Sequence, residues 1–154
     1  MKAFYVAVSF NPDSTKMIFG FVDSKDLIPI PILKIVKYPE FDDGQIVGPV
    51  GAIGAEWSPN GNEILFLKNI TNTEPQNNIF VMDSDGDNIK QIIDNKSKDF
   101  YHMARWSPDG EKIIVLVIKT DGTEKSTLYT VNKDRTNLHK LLEDDSITFC
   151  DWSK

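Results

Sequence analysis

Three charged residues stand at one repeated position. Glu56, Arg105 and Asp151 each immediately precede a tryptophan (Trp57, Trp106, Trp152), and Ser9 precedes Phe10 in the same way upstream. Side chains of alternating sign at a repeated position can form a polar ligand site. They can also pair as salt bridges between repeats, each contributing about 0–1 kcal/mol at a surface, and that structural role is the favoured reading. Tyr101 and His102 lie just upstream of Trp106. Imidazole titrates near neutrality and suits acid–base work. No carboxylate or nucleophile is tied by spacing to His102 or His139, so no catalytic residue is expected. Asp83, Asp85, Asp87 and Asp94 occupy positions 1, 3, 5 and 12 of a loop, which are oxygen positions of a calcium-binding EF-hand. However, Gly86 stands at position 4 rather than 6, aspartate replaces the bidentate glutamate, and the flanks read as strands. A hairpin turn accounts for Asp85-Gly86. The four aspartates are kept as a secondary calcium candidate, and neither a metal nor another cofactor is expected. Gly48, Gly51 and Gly54 lack the Gly-x-Gly-x-x-Gly spacing and no helical pattern follows them, so a dinucleotide site is not supported.

These residues must be positioned by a repeat. Glu56-Trp57-Ser58-Pro59-Asn60-Gly61 recurs 49 residues later as Arg105-Trp106-Ser107-Pro108-Asp109-Gly110. A weaker copy, Ser9-Phe10-Asn11-Pro12-Asp13-Ser14, stands 47 residues upstream, and Asp151-Trp152-Ser153 begins another 46 residues downstream. Beyond the motif, Asn78–Asp83 matches Thr127–Asn132, and Asp85-Gly86-Asp87-Asn88 matches Asp134-Arg135-Thr136-Asn137. Each copy reads as four short strands rich in Ile, Val, Phe, Leu and Tyr between Gly, Pro, Asn and Asp clusters. Within Ser-Pro-Asp-Gly, proline presets φ and glycine supplies a left-handed residue. Ser14 replaces that glycine in the first copy, so a looser turn or another type is expected there.

Four strands per 46–49 residues is the period of a β-propeller blade. The expected fold is all-β: blades of four antiparallel strands, about three blades plus one extra inner strand. The blades are expected at about residues 4–45, 50–94 and 100–143, with the extra strand at 146–153. One blade cannot bury both its faces, so the recurrent aromatic is expected between blades. Equivalent positions of successive blades surround the propeller axis. Glu56, Tyr101, His102, Arg105 and Asp151 are therefore expected near one mouth of the channel, with the three glycines in a flexible connection there.

The motif Trp-Ser-Pro-Asp-Gly, a strand, then Ile-Phe-Val-Met-Asp-x-Asp-Gly resembles the TolB-type (WD40-like) propeller repeat, clearly over residues 52–154. It is also similar to blades in prolyl-oligopeptidase-like enzymes. The resemblance implies a non-catalytic scaffold that binds a protein partner, and it leans toward a periplasmic or exported location. Two alternatives stand beside it: the gating propeller of a prolyl-oligopeptidase-like hydrolase, and a carbohydrate-binding propeller. The hydrolase's nucleophile elbow, Gly-x-Ser-x-Gly, does not occur in the chain.

Composition narrows the classes further. The chain has 154 residues, 40% of them hydrophobic, with 17 basic against 23 acidic side chains and a net charge of −6. Nucleic-acid binding, which relies on clustered Lys and Arg, is not expected. Nor is membrane insertion, since no run of about 18 apolar residues exists. Cys150 is the single cysteine, which excludes an internal disulfide. The N-terminal residues lack a signal-peptide pattern. Natural propellers close with four to eight blades. Three blades are expected to be completed either by a second copy, giving a homodimer, or by the blades of a longer propeller.

Overall fold

The computed structural model describes residues 4–22, 30–69, 77–94, 99–120, 122–123 and 125–152. Twelve strands follow in order: β1 (Phe4–Phe10), β2 (Lys16–Val22), β3 (Pro31–Lys37), β4 (Gln45–Val47), β5 (Ala52–Trp57), β6 (Glu63–Asn69), β7 (Asn77–Asp83), β8 (Lys90–Ile93), β9 (Phe100–Trp106), β10 (Lys112–Ile118), β11 (Ser126–Asn132) and β12 (His139–Asp144). They form three four-stranded sheets, each in simple sequential order. This is the up-and-down meander of a propeller blade, and the fold is all-β. The described residues contain no helix, and hence none long and apolar enough to cross a membrane.

The chain divides into two compact units, Met1–Phe66 with Val81–Lys90, and Leu67–Phe80 with Gln91–Lys154. In the first unit β1, β2 and β3 lie against β5. Strand register decides which residues are buried, because side chains alternate between sheet faces. Ser9, Ile18 and Ile35 share one row, and Gly20, Leu33 and Val47 share the next on the same face. Ile18, Leu33 and Val47 are buried. The opposite rows, Phe10–Met17–Val36 and Val8–Phe19–Lys34–Ile46, leave Val8, Phe10 and Ile46 exposed. Phe10, Tyr38 and Phe41 continue that face as edge-to-face aromatics, with ring centroids 5.1 and 5.5 Å apart.

In the second unit β10 (Lys-Ile-Ile-Val-Leu-Val-Ile) is buried on both faces from Ile113 to Val117, as expected of an inner position in a sandwiched sheet. On one face Ile114 and Leu116 are covered by Cys150, Ile147 and Trp152. Among the described residues the extra inner strand expected at 146–153 does not form. Residues 147–152 pair with no described strand, and Ser153 lies outside the described residues. A strand exists only where a neighbour accepts its backbone hydrogen bonds. This segment lies over the sheet face and has no sheet of its own to join.

One turn recurs three times. The Ser58 and Ser107 hydroxyls accept the backbone N–H of Glu63 and Lys112 at 2.9 and 2.8 Å, and donate to Asn60 and Asp109. In the first copy the Asn11 side chain accepts from Lys16 N–H at 2.7 Å and donates to Asp13. The closing backbone bonds also match: Ser14 to Asn11, Gly61 to Ser58 and Gly110 to Ser107, at 2.8–2.9 Å. The looser first turn expected from Ser14 is therefore corrected. Ser14 adopts the glycine's left-handed conformation (φ 58°), because the shared side-chain network fixes the turn around it. The second recurring turn does the same to Arg135 (φ 74°), which stands where the matching turn has Gly86 (φ 98°).

Left-handed backbone costs an L-residue roughly 1–2 kcal/mol. Ser14→Gly and Arg135→Gly are therefore expected to raise stability by about 1 kcal/mol each after the glycine's own entropy cost. Each should raise Tm by about 2–4 °C, measured by differential scanning calorimetry.

Candidate functional site

The residues singled out by sequence divide between the two units. Glu56, half-buried on β5, belongs to the first. Arg105 and Asp151 belong to the second and form no ion pair with each other among the described residues. The Arg105 guanidinium donates to the Ala104 carbonyl at 3.1 Å. The Asp151 carboxylate accepts the Trp152 N–H at 2.8 Å. His102 is exposed on β9, its ring centroid 6.1 Å from that of Phe100. His139 is exposed on β12, a strand with all six residues exposed.

The aspartate loop is built as a turn. Asp83 accepts from the Asn88 amide at 2.6 Å, and Asp85 accepts the Asp87 N–H at 3.1 Å. The equivalent turn of the next repeat keeps the central bond, with the Thr136 N–H on Asp134 at 3.0 Å, and the backbone frame of Asn132 N–H to Thr136 O and Arg135 N–H to Asn132 O, while the Asn132 amide donates to the Thr136 hydroxyl at 2.9 Å. The shape thus needs a single carboxylate at its centre, and the others are not required to hold it. Among the described residues no group of three or more His, Cys, Asp or Glu side chains is arranged to hold a metal ion.

The glycine connection is held rather than flexible. The Gly51 N–H donates to Pro31 O at 2.7 Å. A Cβ at Gly48 would lie 2.8 Å from Met82 Sδ, so the left-handed glycine (φ 67°) lets the chain pass over the methionine.

Tyr101 turns away from its neighbour His102 and lines a cleft of about 250 Å³ in the second unit. A register shift between Leu116 and Val117 brings Tyr101 opposite Val117. Continuing that register past Phe100–Ile118 sets Asp99 opposite Lys119. Their side chains form an ion pair at 2.9 Å, with Asp99 largely buried. Tyr129 and Asp94 add polar groups, and Ile93, Val117 and Leu138 supply apolar wall. Burial pushes the Tyr101 phenol up to about 12, helped by Tyr129, Asp99 and Asp94. The sequence signals that could have found this cleft were the hairpin register pairing Asp99 with Lys119, and the tyrosine of β11. The bulge on which both depend has no clear sequence mark.

No model of a known protein family matches the chain, and no curated protein matches it in sequence. Solved structures match its fold. A TolB-like structure from Agrobacterium tumefaciens is 16% identical, with a TM-score of 0.73 over 93% of this chain and 50% of that one. The β-propeller domain of the trilobed protease from Pyrococcus furiosus is 16% identical, with a TM-score of 0.75 over 99% of this chain and 46% of that one. An oligogalacturonate lyase from Vibrio parahaemolyticus is 14% identical, with a TM-score of 0.70 over 91% of this chain and 42% of that one. The chain therefore spans about half the length of these structures. The fold is a TolB-type β-propeller scaffold.

The Tyr101 environment has an alkaline consequence. The folded state holds its proton between pH 10 and about 12, where the unfolded chain loses it, so stability falls as pH rises through that window. In absorbance titration at 295 nm, one of the four tyrosines is expected to ionise near pH 12. Tyr101→Phe should remove that late step and flatten the stability loss above pH 10. A titration with no step near pH 12, or one that Tyr101→Phe leaves in place, would contradict the burial.

Proposed function

We propose that the chain is a non-catalytic propeller scaffold that binds a protein partner and completes its blades with a second copy of itself. One observation carries the second-copy part. Phe10, Trp57 and Trp106 occupy the same repeat position, yet Trp57 and Trp106 are 5% exposed and Phe10 is 44% exposed. Among the described residues the first sheet thus carries a blade-packing face on which Val8, Phe10 and Ile46 are exposed. Exposed apolar patches of this kind mark interaction surfaces. Two copies together match the length of the TolB-like neighbour, of which one copy spans 50%. The segment carrying Trp152 covers Ile114 and Leu116 on the last sheet. Trp152 repeats the position of Phe10, so β1 of a second copy and that segment would compete for one place.

The protein-binding reading follows the TolB-like neighbour. Glu56, His102, Arg105 and Asp151 are proposed as contact residues. Asp83, Asp85 and Asp87 are read as turn formers, not as a calcium site. The hydrolase and carbohydrate alternatives draw on the trilobed protease and the lyase, whose propellers share the fold. Against them, no acid–base pair or nucleophile converges on His102 or Arg105 among the described residues, and electrostatic pre-organisation of that kind is what catalysis needs.

Incubation of the purified chain with peptide and oligogalacturonide substrates is expected to give no turnover above buffer. Turnover that disappears in His102→Ala or Arg105→Ala would contradict the scaffold reading.

A further inference from the structure

We propose that a second copy seats its first sheet on the last sheet, on the face covered by residues 147–152, and that this segment is a displaceable cover which leaves when the second copy docks. The proposal rests on the second-copy reading above. It names the surface that the second copy meets and the element that regulates access to it. Four observations argue for it.

The first is where the last sheet is exposed. Lys90-Gln91-Ile92-Ile93 and His139-Lys140-Leu141-Leu142 are equivalent outer strands of successive repeats. Ile92 and Ile93 are each 6% exposed, whereas Leu141 and Leu142 are 50% and 53% exposed. Register sets Met103, Leu116, Leu128 and Leu142 in one row across all four strands. Ile147, Cys150 and Trp152 pack with Met103, Leu116 and Leu128, and the row stays open at Leu142. An apolar row that runs from covered to exposed marks an interaction surface.

The second is which side each sheet presents. Ser9 shares a row with Ile18, and its hydroxyl accepts the Trp57 N–H at 3.1 Å. That face of the first sheet meets the following repeat. The opposite face, with Val8, Phe10 and Ile46, is the side of a preceding repeat. In the second unit, Ile93 of the preceding repeat lines the cleft with Tyr101, Val117 and Tyr129. The opposite face of the last sheet, with Ile114 and Leu116, is therefore the side of a following repeat. The two faces are the two halves of one blade-to-blade contact, the pairing by which stacked repeats bury their surfaces. Two copies of three sheets make that contact twice, and six blades lie within the range of closed propellers.

The third is the seat of the segment. The Trp152 indole N–H donates to the Arg105 carbonyl at 3.4 Å, much as Trp57 reaches back one repeat to Ser9. The segment thus holds the place of a following inner strand, where β1 of a second copy would lie.

The fourth is how firmly each occupant is held. β1 is paired with β2 from Phe4–Val22 to Phe10–Met17, and the Asn11–Asp13 network closes the hairpin. Residues 147–152 pair with no described strand. A segment outside any sheet opens at lower free energy than a hairpin within one, so the segment is the occupant that leaves.

The test uses the full chain. Association is followed by light scattering, and Cys150, 6% exposed beneath the cover, reports displacement. Its labelling rate by a chromogenic disulfide is expected to rise with protein concentration in the unmodified chain and to stay constant in Phe10→Glu combined with Ile46→Glu. Leu142→Glu, at a position exposed enough to fold, is expected to weaken association at least about tenfold. Trp152→Ala loosens the cover and is expected to strengthen association about tenfold, a direction that mere loss of packing does not give. Mixing Leu142→Glu with the Phe10→Glu and Ile46→Glu variant is expected to restore association beyond that of either alone, because one of the two contacts in the mixed pair is intact. If the unmodified chain associates but Leu142→Glu leaves this unchanged, mixing restores nothing, or Cys150 labelling stays constant, the proposal is overturned and the second-copy reading stands. A chain that never associates would overturn both.

Discussion

The structure depends on one hydrogen-bonded turn. A side-chain oxygen at Asn11, Ser58 or Ser107 accepts the backbone N–H five residues later, and its donor is held by Asp13, Asn60 or Asp109. Removing the acceptor would cost each turn a hydrogen bond, about 0.5–1.5 kcal/mol. The turn also sets the register of each inner hairpin. In a sheet, a slip of one residue would move every apolar side chain to the opposite face. The aromatic just before the turn therefore has a fixed face and depth. Trp57, whose N–H reaches back to the Ser9 hydroxyl at 3.1 Å, is buried as a result.

This constraint explains why an asymmetry at Phe10 carries meaning. The first repeat keeps the turn, the register and the alternation of the other two, so its aromatic should be as deeply buried as theirs. It is not, although its own sheet is well formed on the other face, where Ile18 and Leu33 are fully buried. The difference lies in what faces the sheet, not in how the sheet is made. A blade is a half-finished interface, and its free face is completed only by another blade. The last sheet meets the same requirement in part through Ile147, Cys150 and Trp152.

Much of this was legible in the residues. The repeat period, the four strands per blade and the position of the recurrent aromatic all follow from spacing and turn chemistry. Two expectations failed for physical reasons. Ser14 was read by its intrinsic preference, but a network of three side chains overrides the preference of one residue. Residues 147–152 carry the sequence pattern of an inner strand, but strand pairing is a property of two segments. The candidate site was less legible. Tyr101 and His102 were both expected near one mouth of the channel, yet the register shift beside Val117 and strand alternation send one into a cleft and leave the other exposed. Asp99 and Lys119 were not noticed because their pairing depends on that same shift.

The account's central claim is that the free face of the first sheet is an interface between copies of the chain. The most direct measurement is solution mass by light scattering behind a sizing column, over a concentration series, for the unmodified chain and for Phe10→Glu combined with Ile46→Glu. Both positions are exposed, so the variant should fold. The account expects the unmodified chain to approach twice 17.4 kDa as concentration rises, and the variant to remain at 17.4 kDa. A chain that stays at the single mass throughout, or a variant that associates as readily as the parent, would contradict it.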